Sequence, residues 1–322
     1  MSPRRRTGRR LLKTFLPILL LLAAAVAAAV GWVVYEVAHP PRRPYLVTPE
    51  KFSQVSDRGL KVTDETWSNR DSTQARGWLL RGAEGAPAVI MLHRYGADRS
   101  WLLNLGVKLN ETTNYTILWP DFRGHGMNPA LSWTSFGTRE AEDVAAALDY
   151  LRNLKTTTGN PLVGDRVGLY GVEMGAYAAL EAAAHNAGAQ ALVLDSVPSA
   201  PDDLLRAVVR ERIRMDNAPL RTLTRWGTRI YFLGEYKNSP ACAAAGILND
   251  RRVLLLTGAE AGYLRDSTIA LAQCFPDQAN VELRSDLPLT GFNLASATGE
   301  QGEAYDRRVI DFFDRALRRA AP

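Results

Sequence analysis

Cysteine and histidine are scarce in this sequence, with 2 and 4 residues among 322. Two cysteines are too few for a disulfide framework or a cysteine-built zinc cluster, and leave room for one bridge, between Cys242 and Cys274. The histidines are His39, His93, His125 and His185, so any chemistry that needs a histidine late in the chain has no candidate. Acidic residues are absent from the first thirteen positions, which hold Arg4, Arg5, Arg6, Arg9, Arg10 and Lys13. Beyond them the chain carries 33 basic side chains against 34 acidic ones. A basic excess confined to one terminus points to targeting and away from a phosphate-lined groove, so no nucleic-acid partner is expected. The rest is ordinary globular composition, 46% hydrophobic and 23% charged, which excludes disorder, collagen and coiled coil.

Charge is absent again from Thr14 to Tyr35, a run of 22 residues that includes Ile18, Leu19, Leu20, Leu21 and Leu22. That length spans a bilayer. The basic cluster in front, with only Arg42 and Arg43 close behind, favours a cytoplasmic amino terminus, and Trp32 and Tyr35 suit the far interface. A cleaved signal peptide is the rival reading, because Ala25-Val26-Ala27 and Ala27-Ala28-Ala29 are small-residue patterns; the apolar run that continues to Tyr35 favours the uncleaved anchor. The expected plan is a basic segment over 1–13, a transmembrane anchor over 14–35, a proline-rich linker over 36–50 and one domain over 51–322. The membrane bilayer is thus the expected partner of residues 14–35, and the domain is expected at the cell membrane, outside the cytoplasm.

Within the domain, short apolar runs at Val89–Leu92, Tyr115–Trp119, Val167–Tyr170, Ala191–Leu194, Val253–Leu256 and Val281–Leu283 read as buried parallel strands. Helical patterns lie between them at Arg139–Leu154 and Met174–His185, and a last one covers Tyr305–Leu317. This alternation predicts a doubly wound, mostly parallel α/β sheet, whose chemistry belongs just beyond the carboxyl ends of its strands.

Those positions carry a family resemblance. Leu92-His93-Arg94-Tyr95-Gly96 resembles the oxyanion-loop segment of the α/β-hydrolase superfamily. Asp121-Phe122-Arg123-Gly124-His125-Gly126 resembles its Asp-x-Arg-Gly-His-Gly turn, and Gly171-Val172-Glu173-Met174-Gly175 resembles its nucleophile elbow, Gly-x-Ser-x-Gly. The resemblance runs from about residue 55 to 319 and is nearest to bacterial serine hydrolases of the esterase and aminopeptidase-like branch. It implies an α/β-hydrolase sheet with a helical lid inserted at about 197–250.

The catalytic positions depart from the pattern the resemblance implies. Glu173 stands at the nucleophile, Ala261 at the acid and Phe292 at the base. Glu260 could serve as the acid only by a one-residue shift. The expected activity is therefore none, with the protein working as a binding or scaffolding module; the alternatives are a hydrolase of esterase or peptidase type using Glu173 unconventionally, and a purely structural envelope component. The expected pocket comprises His93, Arg94, Tyr95, Glu173, Met174 and Asp195, with no metal and no cofactor. Arg94 and Glu173 are expected to meet as a charge pair. Within the lid, Arg206, Arg210 and Arg214 recur every fourth residue, as do Arg221, Arg225 and Arg229, which makes the first set a candidate face for an anionic ligand and otherwise a solvated helix side.

Overall fold

The computed structural model describes residues 3–51, 61–127, 129–186, 188–292 and 299–318, with side chains from residue 15 onward. The chain divides into two units: His39–Leu204 with Lys237–Pro322, and Met1–Ala38 with Leu205–Tyr236.

The larger unit is built on one eight-stranded sheet. Its strands are β1 (Val62–Ser68), β2 (Gln74–Leu80), β3 (Ala86–Leu92), β4 (Thr116–Asp121), β5 (Val163–Val172), β6 (Ala191–Asp195), β7 (Arg252–Gly258) and β8 (Val281–Leu287). Their order is β1-β2-β4-β3-β5-β6-β7-β8. Only β2 runs against its neighbours; every pair from β4 through β8 is parallel. All six apolar runs expected as strands lie within or overlap β3 to β8. The central ones are continuous hydrophobic segments because both of their faces are covered. β1 and β2 form a hairpin that the apolar pattern does not signal, since β1 reads Val-Thr-Asp-Glu-Thr-Trp-Ser at the sheet edge and is only partly buried. Ser72, at φ +64, turns the chain between them.

Helices cover both faces. On one, α2 (Leu103–Thr113) and α9 (Glu300–Leu317) join Trp119 and Tyr170 in the main core, with Val309, Phe312 and Phe313 buried there. Elsewhere α3 (Thr138–Asn153) and α4 (Met174–His185) pack on each other and on β5. Alanine fills α4 at 176, 178, 179, 182 and 183, all buried, which lets that helix lie close to the sheet. Within the expected linker, Tyr45 and Val47 already pack on the core, and the Tyr45 hydroxyl donates to Asp121 Oδ2 at 2.7 Å, so the domain begins before residue 51. Cys242 in α7 (Ala241–Gly246) is disulfide-bonded to Cys274, which lies just after α8 (Tyr263–Leu271), with Cα atoms 5.2 Å apart.

The smaller unit holds α1 (Pro3–Ala38), the end of α5 (Pro201–Ile213) and α6 (Ala218–Tyr231). One stretch of α1, Phe15–Ala38, has 24 residues with an 18-residue window of mean hydropathy 2.5, and is long and apolar enough to cross a membrane. The helix continues past Tyr35 to Ala38, so the first residues expected in the linker are helical. Asn217 caps α6 by accepting the Leu220 N–H, and Pro219 sits in its first turn, where no helical donor is lost. Gly227 of α6 faces α1: a Cβ there would come within 2.7 Å of Val30 and 3.0 Å of Val34.

Candidate active site

The carboxyl ends of β3, β5 and β6 and the loop after β8 bring the expected residues together. Between β5 and α4 the chain turns at Glu173, with φ 51° and ψ −109°, a conformation costly for any residue with a side chain. The turn is held from both sides. The Glu173 N–H donates to the Asp195 carbonyl at 2.9 Å, and its carbonyl accepts the Tyr177 N–H at 3.0 Å. The flanking glycines permit the packing: a Cβ on Gly171 would stand 2.4 Å from the Gly175 carbonyl oxygen, and one on Gly175 would stand 2.4 Å from that of Leu92. Glu173 is 8% exposed, and its Oε2 accepts the backbone N–H of Tyr95 at 3.0 Å.

The expected Arg94–Glu173 pair is not formed. Instead the Arg94 guanidinium lies over the rings of Trp101, at 4.8 Å, and Phe292, at 5.3 Å, while Nη1 donates to the Tyr95 carbonyl at 3.3 Å. Glu173 takes its partner from the peptide next to Arg94, because the backbone N–H lies nearer the turn than a long side chain that two aromatic rings hold elsewhere. Phe292, at the expected base position, thus serves as a platform for Arg94 and packs against the core.

Both motif histidines are committed to backbone. His93 Nδ1 lies 2.8 Å from the Arg94 carbonyl oxygen, and its Nε2 accepts the Phe122 N–H at 3.1 Å. His125 repeats the pattern, with Nδ1 2.9 Å from the Arg123 carbonyl oxygen and Nε2 accepting the Gly96 N–H at 3.1 Å. A carbonyl can only accept and an N–H can only donate, so both rings are neutral with the proton on Nδ1. Burial agrees: it pushes His93 down to about 4 and lowers His125 as well, helped there by the nearby His93. His185 lies at the surface at the end of α4, beside Glu181.

Asp195 is fully buried and fully engaged. Its Oδ2 accepts the Gly291 N–H at 2.8 Å and the Tyr305 hydroxyl at 2.6 Å, and its Oδ1 accepts the Ser196 hydroxyl at 2.6 Å. Tyr170 and Tyr305 hydroxyls are 2.8 Å apart, extending the chain inward. Burial raises the Asp195 carboxyl to about 6, against the pull of these hydrogen bonds. Asp195 therefore anchors the loop that carries Phe292. Ala261, at the expected acid position, is buried in the turn Ala259–Ala261 after β7, and Glu260 beside it is exposed. Among the described residues no three His, Cys, Asp or Glu side chains are grouped so as to hold a metal ion.

Several buried charges escape a sequence reading. Glu140 accepts hydrogen bonds from the Thr134 and Ser135 hydroxyls and from the Ser135 and Gly137 N–H groups. Arg123 pairs with Asp143 and Asp71, and Arg99 lies over Trp78 at 4.4 Å with Asp64 and Asp121 beside it. Arg123 belongs to a quoted motif, which was the one available signal; Arg99 and Glu140 carry none. A cavity of about 140 Å³ opens between Trp67, Arg76, Asp121, Arg123 and His125. Of the expected arginine ladder, Arg206 and Arg210 are exposed on α5 and Arg206 pairs with Asp216 at 2.9 Å. Arg214 lies past the helix end at φ +58 and does not continue the row.

Strand order, elbow and loops together define an α/β-hydrolase architecture. The sequence matches the alpha/beta hydrolase family over residues 89–319, and the chain belongs to that family. An esterase from Pyrococcus furiosus superposes with a TM-score of 0.62 at 19% identity, covering 87% of this chain and 98% of its own. The α/β hydrolase GrgF from Penicillium sp. sh18 gives 0.59 at 18%, covering 80% and 99%. The acylaminoacyl peptidase of Pyrococcus horikoshii gives 0.58 at 13%, covering 86% of this chain and 45% of its own. At these identities the likeness is one of fold. No curated protein matches the chain by sequence.

Proposed function

We propose that this α/β-hydrolase-family protein is catalytically silent and acts as a binding or scaffolding module, anchored in a membrane by Phe15–Ala38 with its folded domain outside the cytoplasm. One observation carries the silent reading: the Glu173 carboxylate accepts the Tyr95 N–H. In a hydrolase of this architecture that loop amide would be aimed at a developing oxyanion, and here it is already engaged by a negative charge. The neutral, doubly bonded His93 and His125 support it, since neither ring has a nitrogen left to take a proton. The six basic residues before the apolar stretch support the orientation.

Full-length protein in detergent should take no label from a fluorophosphonate probe and should not turn over a p-nitrophenyl ester. Turnover that Glu173→Gln abolishes would overturn the reading in favour of a glutamate-dependent hydrolase. A phosphatase reporter fused after Pro322 should be active; activity of a cytoplasm-only reporter there would reverse the orientation.

A further inference from the structure

The smaller unit carries an apolar surface that the proposed function does not use. α6 presents Leu223, Trp226 and Ile230 at 42, 59 and 70% exposure, and Leu233 just beyond it is 91% exposed. At 3.6 residues per turn, Leu223, Trp226 and Ile230 fall within an arc of about 60°. Arg229 and then Arg225 follow to one side of this face, Arg229 lying 5.7 Å over the Trp226 ring, while Arg221 falls nearly opposite it, 3.6 Å from Asp216. Thr224 and Thr228 are buried on the far side. A solvent-facing apolar stripe bordered by arginines is the pattern of a helix lying in a membrane interface.

The same unit says which surface would cover the stripe. Gly227 brings α6 against Val30 and Val34, in the last part of the stretch of α1 that is long enough to cross a bilayer. On α1 that end also carries Trp32 and Tyr35, 56 and 53% exposed, and α6 adds Trp226 and Tyr231, the latter 40% exposed. Four aromatic side chains thus cluster at one end of an apolar helix, as at the boundary between acyl chains and head groups.

We propose that α6 lies in the outer face of the same bilayer that α1 enters, with Leu223, Trp226, Ile230 and Leu233 in the acyl-chain boundary and Arg225 and Arg229 among anionic phospholipid head groups. The inference rests on the reading of Phe15–Ala38 as a membrane span and adds a second, lateral contact to it. That contact would fix the lid segment at the membrane and make its position sensitive to lipid charge.

The test uses full-length protein in nanodiscs of brominated phosphatidylcholine with or without phosphatidylglycerol, read by quenching of tryptophan fluorescence. Of the 7 tryptophans, only Trp32 and Trp226 lie on these two helices. W226F should remove about half of the lipid-dependent quenching and W32F the other half, as for two interfacial rings. R225Q/R229Q should lower the Trp226-dependent part in phosphatidylglycerol discs to its value in phosphatidylcholine alone. Quenching lost in W32F but unchanged in W226F would overturn the proposal and leave the span standing. Quenching unchanged in both would overturn the span and the proposal with it. Trp226-dependent quenching indifferent to phosphatidylglycerol and to the arginine substitutions would overturn the head-group assignment.

Discussion

Replacing Glu173 separates the two costs of its position. The side chain accepts the Tyr95 N–H at Oε2 at 3.0 Å, and loss of that bond leaves a buried donor unpaired, which costs about 1–3 kcal/mol. The backbone at φ 51° and ψ −109° costs a residue with a Cβ about 1–3 kcal/mol and costs glycine almost nothing. Glu173→Ala loses the bond and keeps the strain. Glu173→Gly loses the same bond and releases the strain, but orders a freer chain on folding, which offsets about 1 kcal/mol of that relief. The glycine variant should therefore be the more stable of the two by about 1 kcal/mol, taken as the middle of these ranges. That order reverses the usual one, in which glycine is the worse residue outside special backbone conformations. Urea unfolding of the full-length variants in one detergent, compared by midpoint at equal slope, reads the difference. A glycine variant less stable than the alanine variant by about 1 kcal/mol would refute the argument that the elbow stores strain, because only the ordinary entropic penalty would remain.

Two further outcomes follow from the larger unit. Cys242 and Cys274 are separated by 32 positions, so Cys242→Ser with Cys274→Ser should lower stability by about 3–4 kcal/mol through the freed unfolded chain; an unchanged unfolding midpoint with and without reductant would show that the bridge constrains nothing. Asp195 is raised to about 6 by burial, above its ordinary 3.8, so the folded state holds this proton more tightly than the unfolded state does. Its unfavourable contribution is full above about pH 6 and is relieved as pH falls toward 3.8, which should move the stability difference between wild type and Asp195→Asn in favour of wild type by up to about 3 kcal/mol. His93 and His125 act in the opposite sense, losing stability as pH falls through 6.5, but they are common to both proteins and cancel in the comparison. A difference that stays flat between pH 7 and 4 would show that Asp195 folds with its ordinary affinity.

The readable part of this structure is the part in which burial alone dictates residue type. β3 to β7 are covered on both faces, so their apolar runs mark them, and the loops after β3, β4 and β7 carry glycines at positive φ. Gly124 and Gly126, at φ +76 and +77, are examples that a motif preserves because no other residue fits cheaply. β1 escaped because an edge strand can alternate acids with half-buried residues, and its charges are explained only by the partners that folding supplies, such as Arg76 for Asp64. The Arg94–Glu173 expectation failed for a related reason. Opposite charges on adjacent loops suggest a pair, yet sequence gives no view of Trp101 and Phe292, which hold the guanidinium, or of the Tyr95 amide, which reaches the carboxylate first. Asp195 shows the converse: its place after β6 was legible, while its role depends on Tyr305 and Gly291, more than ninety positions later.

The elbow's geometry and the elbow's chemistry have separate physical causes. The turn at Glu173 is imposed by neighbours: Gly171 and Gly175 allow β5 and α4 to close on β3, and the Asp195 carbonyl takes the Glu173 N–H. None of these contacts involves the side chain at 173, so the strained turn persists whatever residue occupies it. Reactivity would need more, namely a hydroxyl or carboxylate beside a base with a free ring nitrogen, and a loop amide left open for negative charge. His93 and His125 instead use both ring nitrogens to fix the loops after β3 and β4, and Glu173 closes the amide of Tyr95. Installing serine at 173 would reopen that amide and still leave the hydroxyl without a proton acceptor, so Glu173→Ser is expected to gain no esterase activity. The same contacts tie three loops to one another, and on the proposed reading that fixed loop cluster is the platform that would hold a partner.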